Sequence, residues 1–161
     1  MNLYSIYTLN ANNLNTYSVL QINVDKYSKE EKLSQLMAKR GYNYSDVLDI
    51  HPKRLDNYFQ KLDAFYTEHM HSEEEIRLVL DGTGYFDVRD VDNRWIRIAV
   101  EKGDLLTLPA GSYHRFTLDN KNNWIKLFRL FGNEPVWSAF NRPADDHPSR
   151  IQYVQKSLKG F

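Results

Sequence analysis

The chain has 161 residues, of which 42% are hydrophobic and 14% aromatic, with 21 Lys and Arg balanced by 21 Asp and Glu. That length suits one domain with a sizeable core, the composition is too apolar and aromatic for disorder, and a net charge of zero offers no field to gather nucleic acid or an anionic membrane. The absence of cysteine excludes disulfides, thiolate nucleophiles and Cys-bound zinc, so any metal must be held by imidazole and carboxylate.

The start, "MNLYSIYTLNANNLN", has no basic stretch followed by an apolar one, and no later run is apolar enough to span a bilayer. Neither export nor membrane insertion is expected. Residues 1–24 read as a lead-in, with the Asn-rich first fifteen either poorly ordered or forming a single edge strand. Two helices are predicted over residues 28–66. In "SKEEKLSQLMAKRG", Ser28 and Glu31 make a capping box, Leu33, Leu36 and Met37 form one stripe, and Gly41 is a stop. "RLDNYFQKLDAFY" repeats apolar residues at helical spacing, at Leu55, Tyr58, Phe59, Leu62, Phe65 and Tyr66.

From Glu75 the texture becomes β-like, in the runs "IRLVLDG", "GYFDVRD", "WIRIAV", "DLLTLP", "YHRFTL" and "WIKLFRLF". Turn signals separate them, among them Gly82-Thr83-Gly84, Lys102-Gly103 and Pro109-Ala110-Gly111. Short strands at this spacing predict an antiparallel sandwich or barrel, with its core over residues 67–131. Residues 132–161 hold the irregular "NRPADDHPSR" and then a short helix, "RIQYVQKSLKG". No repeat or linker divides the chain, so residues 1–161 are expected to form one domain.

His69 and His71 are separated by one residue. On a strand that spacing aims both imidazoles into one space, whereas on a helix they would diverge by about 200°. The same step of two continues through Glu75 and Arg77, and His114 follows the Pro/Gly turn of "LPAGSYHRF". Three imidazoles and a carboxylate suit a divalent first-row metal and leave room for two substrate oxygens on an ion that prefers six ligands. A lone histidine is more often a surface or hydrogen-bonded residue, and His51 and His147, each before a proline in a polar stretch, are read that way. His69, His71, Glu75 and His114 are read together because six residues separate Glu75 from Gly82. Five more separate Gly103 from Pro109, and two lie between Gly111 and His114.

This spacing resembles the paired motifs of the cupin superfamily, HxHx3Ex6G and Gx5PxGx2H. Asp63 stands where the first often opens with glycine, and Leu118 where the second often ends in asparagine. The strings "FYTEHMHSEEEIRLVLDGTGYFDVRD", "WIRIAVEKGDLLTLPAGSYHRFTLD" and "RLFGNEPVWSAFNRPAD" go further and resemble the acireductone dioxygenase family of the methionine salvage pathway, the eukaryotic branch above all. The likeness runs from Asp25 to Val154. It departs at the first fifteen residues, at Ser112, where isoleucine is common, and at a turn over Lys121–Trp124 that is one residue longer.

The resemblance implies a mainly β cupin fold, a double-stranded β-helix or jelly-roll barrel with flanking α-helices in the N-terminal half and at the C-terminus. It implies that His69, His71, Glu75 and His114 hold one Fe(II) or Ni(II) per chain. The implied substrate is an acireductone, an enediol beside a ketone, bound as its dianion and cleaved by O2. With Fe(II) the family yields formate and the keto acid that precedes methionine, and with Ni(II) it yields formate, carbon monoxide and methylthiopropanoate. Arg77 matches an arginine that faces the substrate and favours its charged form. Arg129 matches a second pocket arginine if the extra residue falls in the 121–124 turn. Phe65 and Phe116 match aromatic residues lining the pocket, with core packing as their alternative role. A cytoplasmic monomer, also present in the nucleus, is expected. Two other readings stand beside this one. The first is a metal-dependent cupin isomerase, which would need a phosphate-binding cluster near the ligands. The second is an interaction protein on the same scaffold.

Overall fold

The computed structural model of the protein describes residues 17–90, 92–134 and 138–158. The lead-in read over the first fifteen residues lies outside them. Its elements run β1 (Ser18–Gln21), a 3-10 turn (Val24–Lys29), α1 (Glu31–Arg40), β2 (Tyr44–Ile50), α2 (Tyr58–Tyr66), β3 (His69–Met70) and β4 (Glu75–Arg89). They continue with β5 (Trp95–Glu101), β6 (Asp104–Leu108), β7 (His114–Leu118), β8 (Ile125–Phe131), β9 (Phe140–Asn141) and α3 (Pro148–Leu158). Every pairing is antiparallel. One sheet runs β1–β6–β4–β8–β2 and the other β5–β4–β7–β3–β9. The two sheets close over a shared interior, and helices flank them, as expected of the cupin barrel. No helix among the described residues is long and apolar enough to cross a membrane.

The predicted turn at Gly82-Thr83-Gly84 is not a turn, because "IRLVLDG" and "GYFDVRD" form the single strand β4. Its first half pairs with β6 and β8 and its second half with β5 and β7, with a register shift between Val79 and Asp81. A bulge of this kind bends a strand so that it can pass from one sheet to the other. The glycines permit close approach at the crossing. A Cβ on Gly82, whose φ is +78°, would fall 2.4 Å from the Trp124 carbonyl oxygen, and one on Gly84 would meet the Phe116 ring at 2.7 Å.

Along β4 the side chains alternate as a strand requires. Glu75, Arg77 and Val79 turn to the barrel interior, while Ile76, Leu78 and Leu80 pack outward with Leu33, Leu105 and Leu130. Leu36 and Met37 of α1 complete that outer layer, where burying a side chain such as Leu78 contributes about 2 kcal/mol. Gly41 ends α1 in the left-handed region with its N–H on the Met37 carbonyl, as its sequence predicts. The Ser28–Glu31 capping box does not form. Ser28 lies inside the 3-10 turn, and α1 starts after Glu30, which makes no side-chain cap bond.

α2 begins later than its apolar spacing suggests, because Asn57 takes a left-handed conformation just before Tyr58. Its inner face carries Tyr58, Leu62 and buried Phe65, while Phe59, 78% exposed, and Tyr66 point outward. The segment expected to be a helical flank also supplies a strand, β2, which pairs along its whole length with β8.

Gly82→Ala should destabilise the fold by roughly 3 kcal/mol, from the unfavourable positive φ together with the backbone collision. Gly132→Ala, whose Cβ would find its nearest neighbour at 3.8 Å, should be close to neutral. Urea titration of both variants checks this, and equal midpoints would mean that Gly82 is not what permits the crossing.

Candidate metal centre

β3 lies beside β7 with His69 opposite His114, so these two imidazoles are neighbours across one sheet. His71 follows the end of β3, and Glu75 opens β4 in the other sheet. The three imidazole rings lie 4.6–5.4 Å apart between centroids, and each offers a nitrogen within 4.8 Å of the other two. Glu75 Oε2 lies 2.7 Å from His114 Nε2 and 3.4 Å from His71 Nε2. The four residues singled out by spacing therefore meet at one point.

The tautomers follow from the backbone. Nδ1 of His69 is 2.7 Å from the Thr67 carbonyl oxygen, Nδ1 of His114 is 2.9 Å from that of Ser112, and Nδ1 of His71 is 2.9 Å from that of Ser138. A carbonyl can only accept, so each Nδ1 carries the proton and each Nε2 presents a lone pair. The short approach of His114 Nε2 to Glu75 Oε2 is then a meeting of two acceptors. Both atoms are buried, and neither has a hydrogen-bond partner. Leaving buried acceptors unsatisfied costs about 1–3 kcal/mol each. A cation shared between them removes that cost, and imidazole with carboxylate is a donor set for a divalent first-row ion. The residues fit such a metal.

Burial and the charges of Glu75 and Arg77 set the balance among these groups. Burial pushes His69 down to about 4, with the neighbouring His114 adding to the effect, so this imidazole is neutral. Burial alone would raise Glu75, but the Arg77 guanidinium beside it holds its carboxyl well below the usual carboxylate range. For His71 burial acts downward, yet the neighbouring Glu75 carboxylate outweighs it and raises its pKa.

Arg77 is buried beside the centre, with Nε 3.1 Å from Glu75 Oε1 and Nη1 donating to the Ile76 carbonyl at 2.9 Å. Burial lowers its pKa, Glu75 opposes this, and Arg129 adds to the lowering. Arg129 stands opposite Arg77 on β8, and its guanidinium is paired with Asp46 through Nε at 2.6 Å and through a second, shorter contact. Both guanidiniums lie over the Phe131 ring, at 5.5 and 5.3 Å from its centroid. His71, Glu75, Arg77, Arg129 and Asp46 line an outer cavity of about 330 Å³. On the other side of Glu75 and Arg77 is a small inner chamber whose apolar wall is Leu48, Ile50, Phe65, Phe86, Phe116 and Leu127, with His69 and His114 at its polar end. Phe65 and Phe116 meet edge to face there at 6.4 Å.

All eight site residues predicted from sequence thus lie at the centre or in the walls of these two spaces. His51 and His147 are elsewhere, each accepting a local backbone N–H at Nδ1, from Lys53 and Ser149 respectively. The sequence reading missed Asp46, Leu48 and Ile50, all on the unpredicted β2, and the carbonyls of Thr67, Ser112 and Ser138. The His-Pro context of His51 and His147 was the one local signal that separated these residues from the site.

The ARD/ARD' family model matches residues 4–139. Acireductone dioxygenase 1 of Physcomitrium patens is 54% identical over 138 residues, covering 86% of this chain and 71% of that protein. The acireductone dioxygenase of Ixodes scapularis is 54% identical over 141 residues, covering 88% of this chain and 76% of that one. The acireductone dioxygenase from Bacillus anthracis, solved with a cadmium ion in its active center, shares the fold with a TM-score of 0.67 at 24% identity, over 77% of this chain and 82% of that one. The chain belongs to the ARD/ARD' family.

Proposed function

We propose that this protein is an acireductone dioxygenase of methionine salvage, with His69, His71, Glu75 and His114 holding one Fe(II) or Ni(II). The observation that carries this reading is the buried convergence of Glu75 Oε2 with imidazole lone pairs, in a chain about half identical to named acireductone dioxygenases over most of its length. The donor set does not choose between the two metals, because imidazole and carboxylate take both.

A bound Fe(II) or Ni(II) supplies Lewis acidity and a template for two adjacent substrate oxygens. The chain's own residues do the rest. The backbone carbonyls keep every Nδ1 protonated, so that each Nε2 is available. Arg77 contributes a charge that persists at any physiological pH and favours the enediolate over the enediol. Arg129, held by Asp46, adds a second cation to the wall of the outer cavity, on the side open to an anionic substrate. Phe65, Phe116 and the aliphatic wall behind Glu75 and Arg77 give the centre an apolar backing that keeps water from the electron-rich carbons. The dianion is reactive enough toward O2 that no protein acid or base is needed for the attack.

Anaerobically purified protein reconstituted with Fe(II) should consume an acireductone and O2, with equimolar formate and keto acid formed as the enediol absorbance falls. With Ni(II), carbon monoxide should appear. A rate no faster than the uncatalysed oxidation, with the metal shown to be bound, would reject the dioxygenase reading and favour another cupin substrate or a binding role.

His71→Ala should lose bound metal, measured by elemental analysis, while keeping the far-ultraviolet circular dichroism of the parent. Full activity in that variant would exclude His71 as a ligand. Arg77→Ala should keep its metal but lose about a hundredfold or more in kcat/KM. An unchanged kcat/KM would remove Arg77 from the mechanism.

A further inference from the structure

α3 buries none of its residues fully, although it packs against the barrel. Its first turn is joined to the barrel by polar contacts, and these end beside the metal centre. Ser149 Oγ donates to the carbonyl of Ser72, the residue after His71, at 3.0 Å. The next residue, Arg150, donates Nη1 to the carbonyl of Gly111 at 3.1 Å. Gly111 in turn donates its N–H to the His71 carbonyl at 2.9 Å. The contacts close on themselves, linking Ser72 to Ser149, Arg150, Gly111 and His71.

Gly111 also begins the short segment that leads to His114, whose Nδ1 is fixed by the Ser112 carbonyl. The approach is so close that a Cβ on Gly111, at φ +75°, would lie 2.2 Å from the Ser149 carbonyl oxygen. Arg150 is itself held in place. Its guanidinium lies 4.3 Å from the centroid of the Tyr113 ring, and its Nε is 3.5 Å from Asp145 Oδ1. A helix that merely covered the barrel would attach through apolar burial. This one reaches the backbone just after His71 and three residues before His114.

We propose that Ser149 and Arg150 are positioning residues that fix the separation of His71 and His114, so that the C-terminal helix of this chain tunes metal affinity. The inference rests on the metal-site reading above. A donor set held at the separation a metal needs loses little freedom on binding, and removing the groups that orient ligands typically weakens metal binding by about tenfold or more.

The test is calorimetric titration of the full-length apoprotein with Ni(II), together with the melting temperature of each apoprotein. Arg150→Ala should bind Ni(II) about tenfold more weakly, Arg150→Lys should recover part of that loss, and Ser149→Ala should bind several-fold more weakly. Tyr153→Phe, which removes the hydrogen bond of α3 to Tyr17 at 3.1 Å but keeps the ring beside Arg150, should bind as the parent does. Parent-like affinity in both Arg150→Ala and Ser149→Ala would overturn the inference, as would an equal loss in Tyr153→Phe, which would implicate helix docking in general. Should Arg150→Ala fail to fold, Ser149→Ala decides alone. A parent protein that takes up no Ni(II) would overturn the metal-site reading, and this inference with it.

Discussion

A carboxylate in the interior of the barrel is the constraint around which the rest is arranged. Glu75 is 8% exposed, and an ion buried to that degree costs several kcal/mol unless it is compensated. Strand periodicity places Arg77 two residues on, turned to the same interior and in contact with Oε1. That leaves Oε2 facing imidazole nitrogens whose protons are committed elsewhere. Arg77 brings a burden of its own, because β8 places the like charge of Arg129 directly opposite it. Asp46, on the next strand, offsets that charge, and the Phe131 ring lies against both guanidiniums. Asp46, Arg129, Arg77 and Glu75 thus form an ordered array of charge across three strands that ends at the candidate metal.

This array depends on closure of the barrel. His69 and His114 belong to one sheet, Glu75 and Arg77 to the other, and the 2.7 Å approach of Glu75 to His114 spans the interior between them. β4 makes closure possible because it belongs to both sheets. Its crossing at Gly82 and Gly84 brings the chain against the Trp124 carbonyl and the Phe116 ring, where no Cβ would fit. The glycine at the end of the first motif therefore bears on the site without touching it, since it allows two sheets to share one strand and their polar ends to meet.

The ligand set was legible in the sequence because it combines a local regularity, the step of two along a strand, with a second segment of equally recognisable spacing. Other features were hidden for identifiable reasons. β2 turns Asp46, Leu48 and Ile50 inward and leaves Val47 on the surface, so the usual rule of apolar in and polar out is reversed at Asp46, where the site needs a charge. Gly82 and Gly84 read as turn residues because glycine marks both a reversal of the chain and a close approach, and only the partners Trp124 and Phe116, distant in sequence, distinguish the two. Ser28 has the right neighbours for a helix cap, but the chain before α1 is already wound into a 3-10 turn, which moves the helix start past it. The facing of Arg77 and Arg129 depends on strand register between segments some fifty residues apart, a relation no local pattern records.

The three imidazoles are not held alike. Nδ1 of His69 and of His114 donates to a carbonyl two residues earlier in the chain, and both residues sit on paired strands, so their orientation is fixed once β3 and β7 meet. His71 lies past the end of β3 and takes its orientation from Ser138, 67 residues away, while its own carbonyl is held by Gly111. Of the candidate ligands, it is the one whose geometry depends on chain contributed from outside the barrel core. It also borders the outer cavity, where a substrate would arrive, whereas His69 and His114 close the inner chamber. Rigidity is therefore graded across the centre, with two ligands set by sheet register and the third set by the loops and helix that pack against it.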